Sequence, residues 1–161
     1  MKNVLSVLVI ALMSAPEASV ADILTVIIDP SALPYEIGPS KYENSPSKYE
    51  NSSSTYENSD SRYENSPSKY ENSPSNYANR VGGGRNLVTE DNKALGYYVF
   101  GEGGIINFYN YNSRRIAYLP AGGHTQSVFT DGDWCGTIGE IHGELVLGIS
   151  QSCYYAFLLQ N

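Results

Sequence analysis

The stretch Gly38-Pro39-Ser40-Lys41-Tyr42-Glu43-Asn44 opens six consecutive seven-residue units that run to Asn79 without a slip of register. Tyrosine recurs at Tyr42, Tyr49, Tyr56, Tyr63, Tyr70 and Tyr77, with Tyr35 one step earlier. Asparagine follows two places later, at Asn44, Asn51, Asn58, Asn65, Asn72 and Asn79. A period of seven suggests a coiled coil, which needs two apolar positions per unit to form a seam. Only tyrosine qualifies here. Pro39, Pro46, Pro67 and Pro74 would each cost a helix about 3 kcal/mol, and Ser and Asn compete for backbone hydrogen bonds. The coiled coil is excluded.

The unit reads instead as a turn followed by a short extended piece. In Ser45-Pro46-Ser47-Lys48 the proline stands where a type I turn wants its fixed φ. Ser53 and Asp60 replace it in two units, and both residue types suit turns. Tyrosine, bracketed by pairs such as Lys48 and Glu50, is expected on the extended part. One aromatic in seven residues buries little surface against a backbone entropy cost of about 1–2 kcal/mol per residue. Composition therefore favours a polar spacer with local turns. The strict register favours an ordered spiral with tyrosines packed on one another.

Outward from the array, residues 1–21 have the form of a secretory signal peptide. Lys2 supplies the positive end, Val4 to Met13 an apolar core too short to span a bilayer, and Ser19-Val20-Ala21 the small residues of a cleavage site. Residues 22–34 form an apolar segment whose Ile23, Leu24, Val26, Ile27 and Ile28 read as a strand. That strand either folds back in the same chain or adds to the sheet edge of a neighbour. The repeat arm then occupies 35–80, a glycine-rich hinge 81–86, and a β domain 87–161.

In the last segment short β-branched and aromatic runs alternate with turn chemistry. Strands are expected at Ala94–Phe100, Ile105–Asn110, Arg115–Pro120, Ser127–Thr130, Trp134–Ile141 and Leu145–Ser150. Ser152–Gln160 is either a seventh strand or a short helix. The fold class is mainly β: a small antiparallel meander, barrel or sandwich, preceded by the turn-rich heptapeptide-repeat arm. The two cysteines, Cys135 and Cys153, are expected to pair in an exported chain. The bond would staple a domain of marginal size.

These segments also carry a resemblance. The Ser-Pro-x-x-Tyr-x-Asn units, Gly96-Tyr97-Tyr98-Val99, Asn107-Phe108-Tyr109, Arg114-Arg115-Ile116-Ala117-Tyr118 and Cys135-Gly136 resemble a group of small exported proteobacterial proteins with no established activity. The resemblance implies a bacterial envelope or extracellular location and brings no catalytic residue with it.

Chemistry is sparse. The net charge of −7 argues against nucleic acid binding, since no basic stripe exists to neutralise phosphates. His124 and His142 both fall in glycine-bearing turns and read as solvated. A triad of His142, Asp131 and Ser127 can be drawn on paper, but no nucleophile elbow accompanies it. Cys135 as a thiol nucleophile beside His142 conflicts with its pairing to Cys153. Asp131 and Asp133 could offer oxygens to calcium but lack further ligands at the needed spacing. Gly101-Glu102-Gly103-Gly104 is a turn with no helix behind it, not a phosphate loop. No catalytic, cofactor-binding or metal residue is assigned, and no cofactor is expected. The candidate binding surface is aromatic: Tyr97, Tyr98, Tyr109, Tyr111 and Trp134, since strand alternation turns about half of such rings outward.

The expected function is that of a non-enzymatic exported protein of the periplasm or cell surface, a repeat spacer presenting a small β domain that binds or assembles. The candidate partners are a second copy, an envelope protein or a glycan, with no nucleic acid and no transmembrane segment after signal cleavage. A tethered periplasmic inhibitor or ligand-binding module is the alternative, and a small secreted hydrolase the third reading.

Overall fold

A computed structural model describes residues 21–159. The expected signal peptide therefore lies outside the described residues, apart from Ala21. The chain is mainly β and closes into an eight-stranded barrel. The strands are β1 (Ile23–Ile27), β2 (Asn86–Val88), β3 (Ala94–Phe100), β4 (Ile106–Tyr109), β5 (Arg115–Leu119), β6 (Ser127–Phe129), β7 (Trp134–Ile141) and β8 (Glu144–Ile149), followed by helix α1 (Gln151–Leu159).

From β2 to β8 the sheet is an antiparallel meander, each strand paired with the next. The meander closes through β1, which lies parallel to both β2 and β8. Six strands fall where the alternation places them, and β2 is an addition. The ambiguous last segment is helical, because α1 supplies Cys153 and Phe157 as a buried face against the barrel rather than an alternating strand. The strand-exchange reading of the apolar segment is corrected. Both edges of β1 are already paired within the chain, so neither is open to a neighbour.

Inside the barrel, Ile23, Leu87, Tyr98, Ile106, Phe108, Leu119, Val128, Ile138 and Leu147 form one core with Phe157. Cys135 of β7 is bonded to Cys153 of α1, with Cα atoms 5.2 Å apart. The staple ties the helix to the barrel. Gly136 beside it is required by closeness: a Cβ there would lie 2.0 Å from the carbonyl oxygen of Gly148 on β8.

Because β1 and β2 are parallel, the chain between them must descend the barrel from the end of one to the start of the other, about 17 Å for a five-residue strand. A parallel pair needs such a crossover, and a helix usually makes it. Here the repeat array does. It leaves β1 by packing Ile28, Leu33 and Ile37 on Val146, Trp134 and Ile141 of β7 and β8. It then passes over the successive strands back to β2. The array is thus not a spacer but an ordered belt around the outside of the barrel.

Each belt unit contains two turns. Ser45 accepts from the amide of Lys48 across the proline turn (3.2 Å), and Lys48 accepts from the amide of Asn51 (3.0 Å). Five of the units carry a short 3-10 turn that starts at the tyrosine, as at Tyr49–Asn51. Tyrosine therefore opens a turn rather than lying on an extended piece. The extended residue is the one before it, such as Lys48 at φ −73°, ψ 130°.

Candidate functional site

The belt turns its two periodic residues in opposite directions. The six repeat asparagines are at most 3% exposed, whereas Tyr35, Tyr42, Tyr49, Tyr56, Tyr63, Tyr70 and Tyr77 are 57–75% exposed. Packing of tyrosines on one another is therefore corrected: asparagine holds the spiral together. The side-chain amide of Asn51 donates to the carbonyls of Glu43 in the preceding unit (3.0 Å) and of Ser45 at the start of its own (2.8 Å). The same pair of bonds, six and eight residues back, recurs at Asn44, Asn58, Asn65, Asn72 and Asn79. Only an amide fits, because a carboxylate has no donor to offer two carbonyls.

In five of the six, Asn44 to Asn72, other polar groups of the asparagine meet the barrel, whereas the side-chain oxygen of Asn79 is buried without a hydrogen-bond partner. The Asn72 carbonyl accepts from the Tyr97 hydroxyl (2.5 Å), that of Asn65 from Tyr109 (2.6 Å), and that of Asn51 from Tyr118 (2.6 Å). The Asn58 carbonyl accepts from the Arg115 guanidinium at 2.7 Å. The side-chain oxygens are used as well. Asn65 accepts from Asn107 (3.0 Å), Asn58 from the amide of Ala121 (2.9 Å) and Asn44 from Thr125 (2.7 Å), while Asn51 lies 2.7 Å from Nε2 of His124. The period continues past the array: Asn86, the first residue of β2, is buried and donates to the Arg80 carbonyl six residues back. The glycine-rich segment before it is therefore one more unit of the belt, with a Gly83 amide bond to Arg80 at 2.7 Å.

The barrel tyrosines predicted to form an exposed surface are buried or half-buried instead, Tyr97 and Tyr109 of them under this belt. Tyr97, Tyr98 and Tyr109 are at most 1% exposed. Tyr97 and Tyr109 stack at 5.2 Å between ring centres and present their hydroxyls to the asparagines. Tyr98 points into the barrel core. Tyr111 is half-buried, its hydroxyl on the Gly96 carbonyl (2.9 Å), and Trp134 is half-buried with its indole nitrogen on Ser127 (2.9 Å). The correction has one cause: both faces of the sheet are covered, the outer one by the belt. Among the described residues the most exposed aromatic rings are the seven tyrosines of the belt itself, at 57–75%, ahead of Tyr155 at 47% and Phe100 at 39%. The signal for this arrangement was the asparagine, which is as strictly periodic as the tyrosine and cannot be buried without several partners.

Burial raises the tyrosine hydroxyls in pKa. Tyr111 and Tyr118 are pushed up to about 12, and Tyr97, Tyr98 and Tyr109 also move upward, each mainly by loss of solvent. An unfolded tyrosine ionises near pH 10. Below that value both states hold the proton and stability is whole. Above it the unfolded chain ionises first, so stability falls from about pH 10 through 12. Urea midpoints measured from pH 8 to 12 should decline steeply across that window. A flat profile would contradict the burial of these hydroxyls.

The remaining candidates are separated or occupied. Ser127 is buried and accepts from Trp134, while Asp131 and His142 lie beyond opposite ends of β7, so the paper triad cannot assemble. His124 is not merely solvated: it is part-buried on Asn51, and burial lowers its pKa, with Lys48 adding to the effect. Asp131 and Asp133 are exposed at the rim of a shallow cleft of about 290 Å³ shared with Arg114, Arg115 and Trp134. Among the described residues no group of three His, Cys, Asp or Glu side chains is placed to hold a metal. Among the same residues no helix is long and apolar enough to cross a membrane.

The charges around the exposed rings are regular. Lys41, Lys48, Arg62 and Lys69 each precede a tyrosine, and Glu43, Glu50, Glu57, Glu64 and Glu71 each follow one. The cation of the next unit lies near the ring of the one before. Lys48 is 6.0 Å from the centre of Tyr42, and Arg62 is 4.7 Å from that of Tyr56. No family model, curated protein or solved structure matches this chain.

Proposed function

We propose that this is a non-enzymatic exported protein of the bacterial envelope or extracellular space, and that it acts by binding or assembly through the tyrosine belt. The observation that carries the reading is the exposure of seven tyrosines at a fixed spacing on a rigid support. A ring held by ordered backbone loses little freedom on contact, and its phenol both stacks and hydrogen-bonds. The disulfide is compatible with export, and the resemblance of the repeat to small exported proteins supports the location. The barrel does not hang from a spacer in this reading. It is the former that holds the belt in shape.

The test is co-sedimentation of the disulfide-bonded chain with insoluble cellulose, chitin and cell-wall peptidoglycan, together with its self-association in solution. The wild-type chain should bind one of these or itself. The triple substitution Tyr49→Ser, Tyr56→Ser, Tyr63→Ser should weaken that binding by about tenfold or more, with an unchanged circular dichroism spectrum. A wild-type chain that does neither, or a triple variant that binds as wild type does, overturns the reading.

A further inference from the structure

We propose that the belt is a self-recognition surface: its occupant is a second copy of the same chain, docked antiparallel about a two-fold axis at Tyr56. This rests on the reading of the belt as the interaction surface. Charge complementarity under two-fold symmetry favours a second copy as the occupant. Rotating the belt about Tyr56 brings residue 56 + k of one copy opposite residue 56 − k of the other. Tyr49 then meets Tyr63, Tyr42 meets Tyr70 and Tyr35 meets Tyr77.

The same operation sets each of the four cations that precede a tyrosine against a carboxylate. Lys48 faces Glu64, Arg62 faces Glu50, Lys41 faces Glu71 and Lys69 faces Glu43. The unit on the axis has Thr55 where the others carry a cation or Asn76, so Glu57 faces Thr55 and meets no like charge. A parallel alignment would set lysine on lysine and glutamate on glutamate. A two-fold contact uses the same patch on both partners, which is the requirement that this pattern meets.

Only the central units can touch, because the belt is wrapped around a closed barrel and is convex. The contact therefore centres on Tyr49, Tyr56 and Tyr63, which are 57–69% exposed. Arg62 is already engaged by Glu102 at 2.6 Å and by Glu64 at 3.3 Å in its own chain. Glu64 has only the looser of these two pairs, so the pair that reports on register is Lys48 with Glu64 of the second copy. Exposed ion pairs set register more than affinity. The net charge of −7 makes the two copies repel at long range, which salt near 0.15 M screens.

The experiment is sedimentation velocity on the disulfide-bonded chain over a concentration series at that salt. A reversible dimer is expected. Lys48→Glu and Glu64→Lys should each raise the dissociation constant by about tenfold or more, since each change is repeated twice across the axis. The double variant Lys48→Glu, Glu64→Lys should return it to within about threefold of wild type. Melting temperatures of all variants serve as the control for folding. Single variants that associate normally, or a double variant no better than the singles, would sink the two-fold pairing. A wild-type monomer that still sediments with a glycan sinks the second copy as occupant and leaves the interaction surface standing. A monomer that binds nothing sinks both.

Discussion

Deleting four residues from the belt should damage the protein more than deleting seven. Removal of Ser59–Arg62 shifts every later asparagine out of phase with the barrel. Either Asn44, Asn51 and Asn58 keep their partners, or Asn65, Asn72 and Asn79 do, but not both sets. In the second case Tyr118 and Arg115 lose their acceptors, and in the first Tyr97, Tyr109 and Asn107 do. Each orphaned buried donor costs about 1–3 kcal/mol. The amide bonds between units go with them, against a total stability of about 5–15 kcal/mol. The four-residue deletion is therefore expected to leave no cooperative melt by near-ultraviolet circular dichroism. Removal of Ser59–Asn65, one whole unit, keeps the remaining asparagines in phase with one another and leaves the barrel donors of a single unit unmatched, so a destabilised but cooperative transition is expected. A flexible connector would respond by chain length alone, with a change well under 1 kcal/mol in either case. Equal or monotonic losses would rule out the registered belt.

Within one unit, asparagine rather than tyrosine should carry the stability. Asn65 is fully buried, donates to the carbonyls of Glu57 (2.9 Å) and Ser59 (2.8 Å), and accepts from Asn107 (3.0 Å). Asn65→Ala leaves two carbonyls and one amide without partners and should cost about 3–5 kcal/mol by urea denaturation. Asn65→Asp should be no milder, since an acceptor-only carboxylate would face two carbonyl oxygens. Tyr63→Ala, two residues away and 57% exposed, should change stability by about 1 kcal/mol or less. A larger loss at Tyr63 than at Asn65 would mean that the belt is held by its rings after all.

The six later strands were legible because alternation and turn chemistry are local signals. Tyr97 to Val99 and Asn107 to Tyr109 each declare an inner and an outer face on their own. The identity of what covers the outer face was not local. Asn65 and Tyr109 are 44 residues apart and meet at one hydrogen bond. Nothing in either neighbourhood names the other. Tyr97 and Tyr109 therefore looked like exposed rings in search of a ligand, when their hydroxyls are donors to the chain's own carbonyls. Strand β2 was hidden for a related reason. Three residues are too few to show alternation, and Asn86 belongs at once to the sheet and to the seven-residue period.

The amino-acid sequence by itself determined the period, the exclusion of a helical array, the β character of the second half and the pairing of Cys135 with Cys153. Each follows from properties that residues carry wherever they stand: proline lacks an amide hydrogen, β-branched chains suit strands, and a chain with two cysteines can form only one internal disulfide. Tertiary structure alone decided that the array encircles the barrel, that asparagine faces in and tyrosine out, and that β1 closes the sheet in parallel. These depend on matching a unit of seven residues to the donors of successive strands. That match is a relation between distant segments, and it exists only once the barrel has given the belt a circumference to follow.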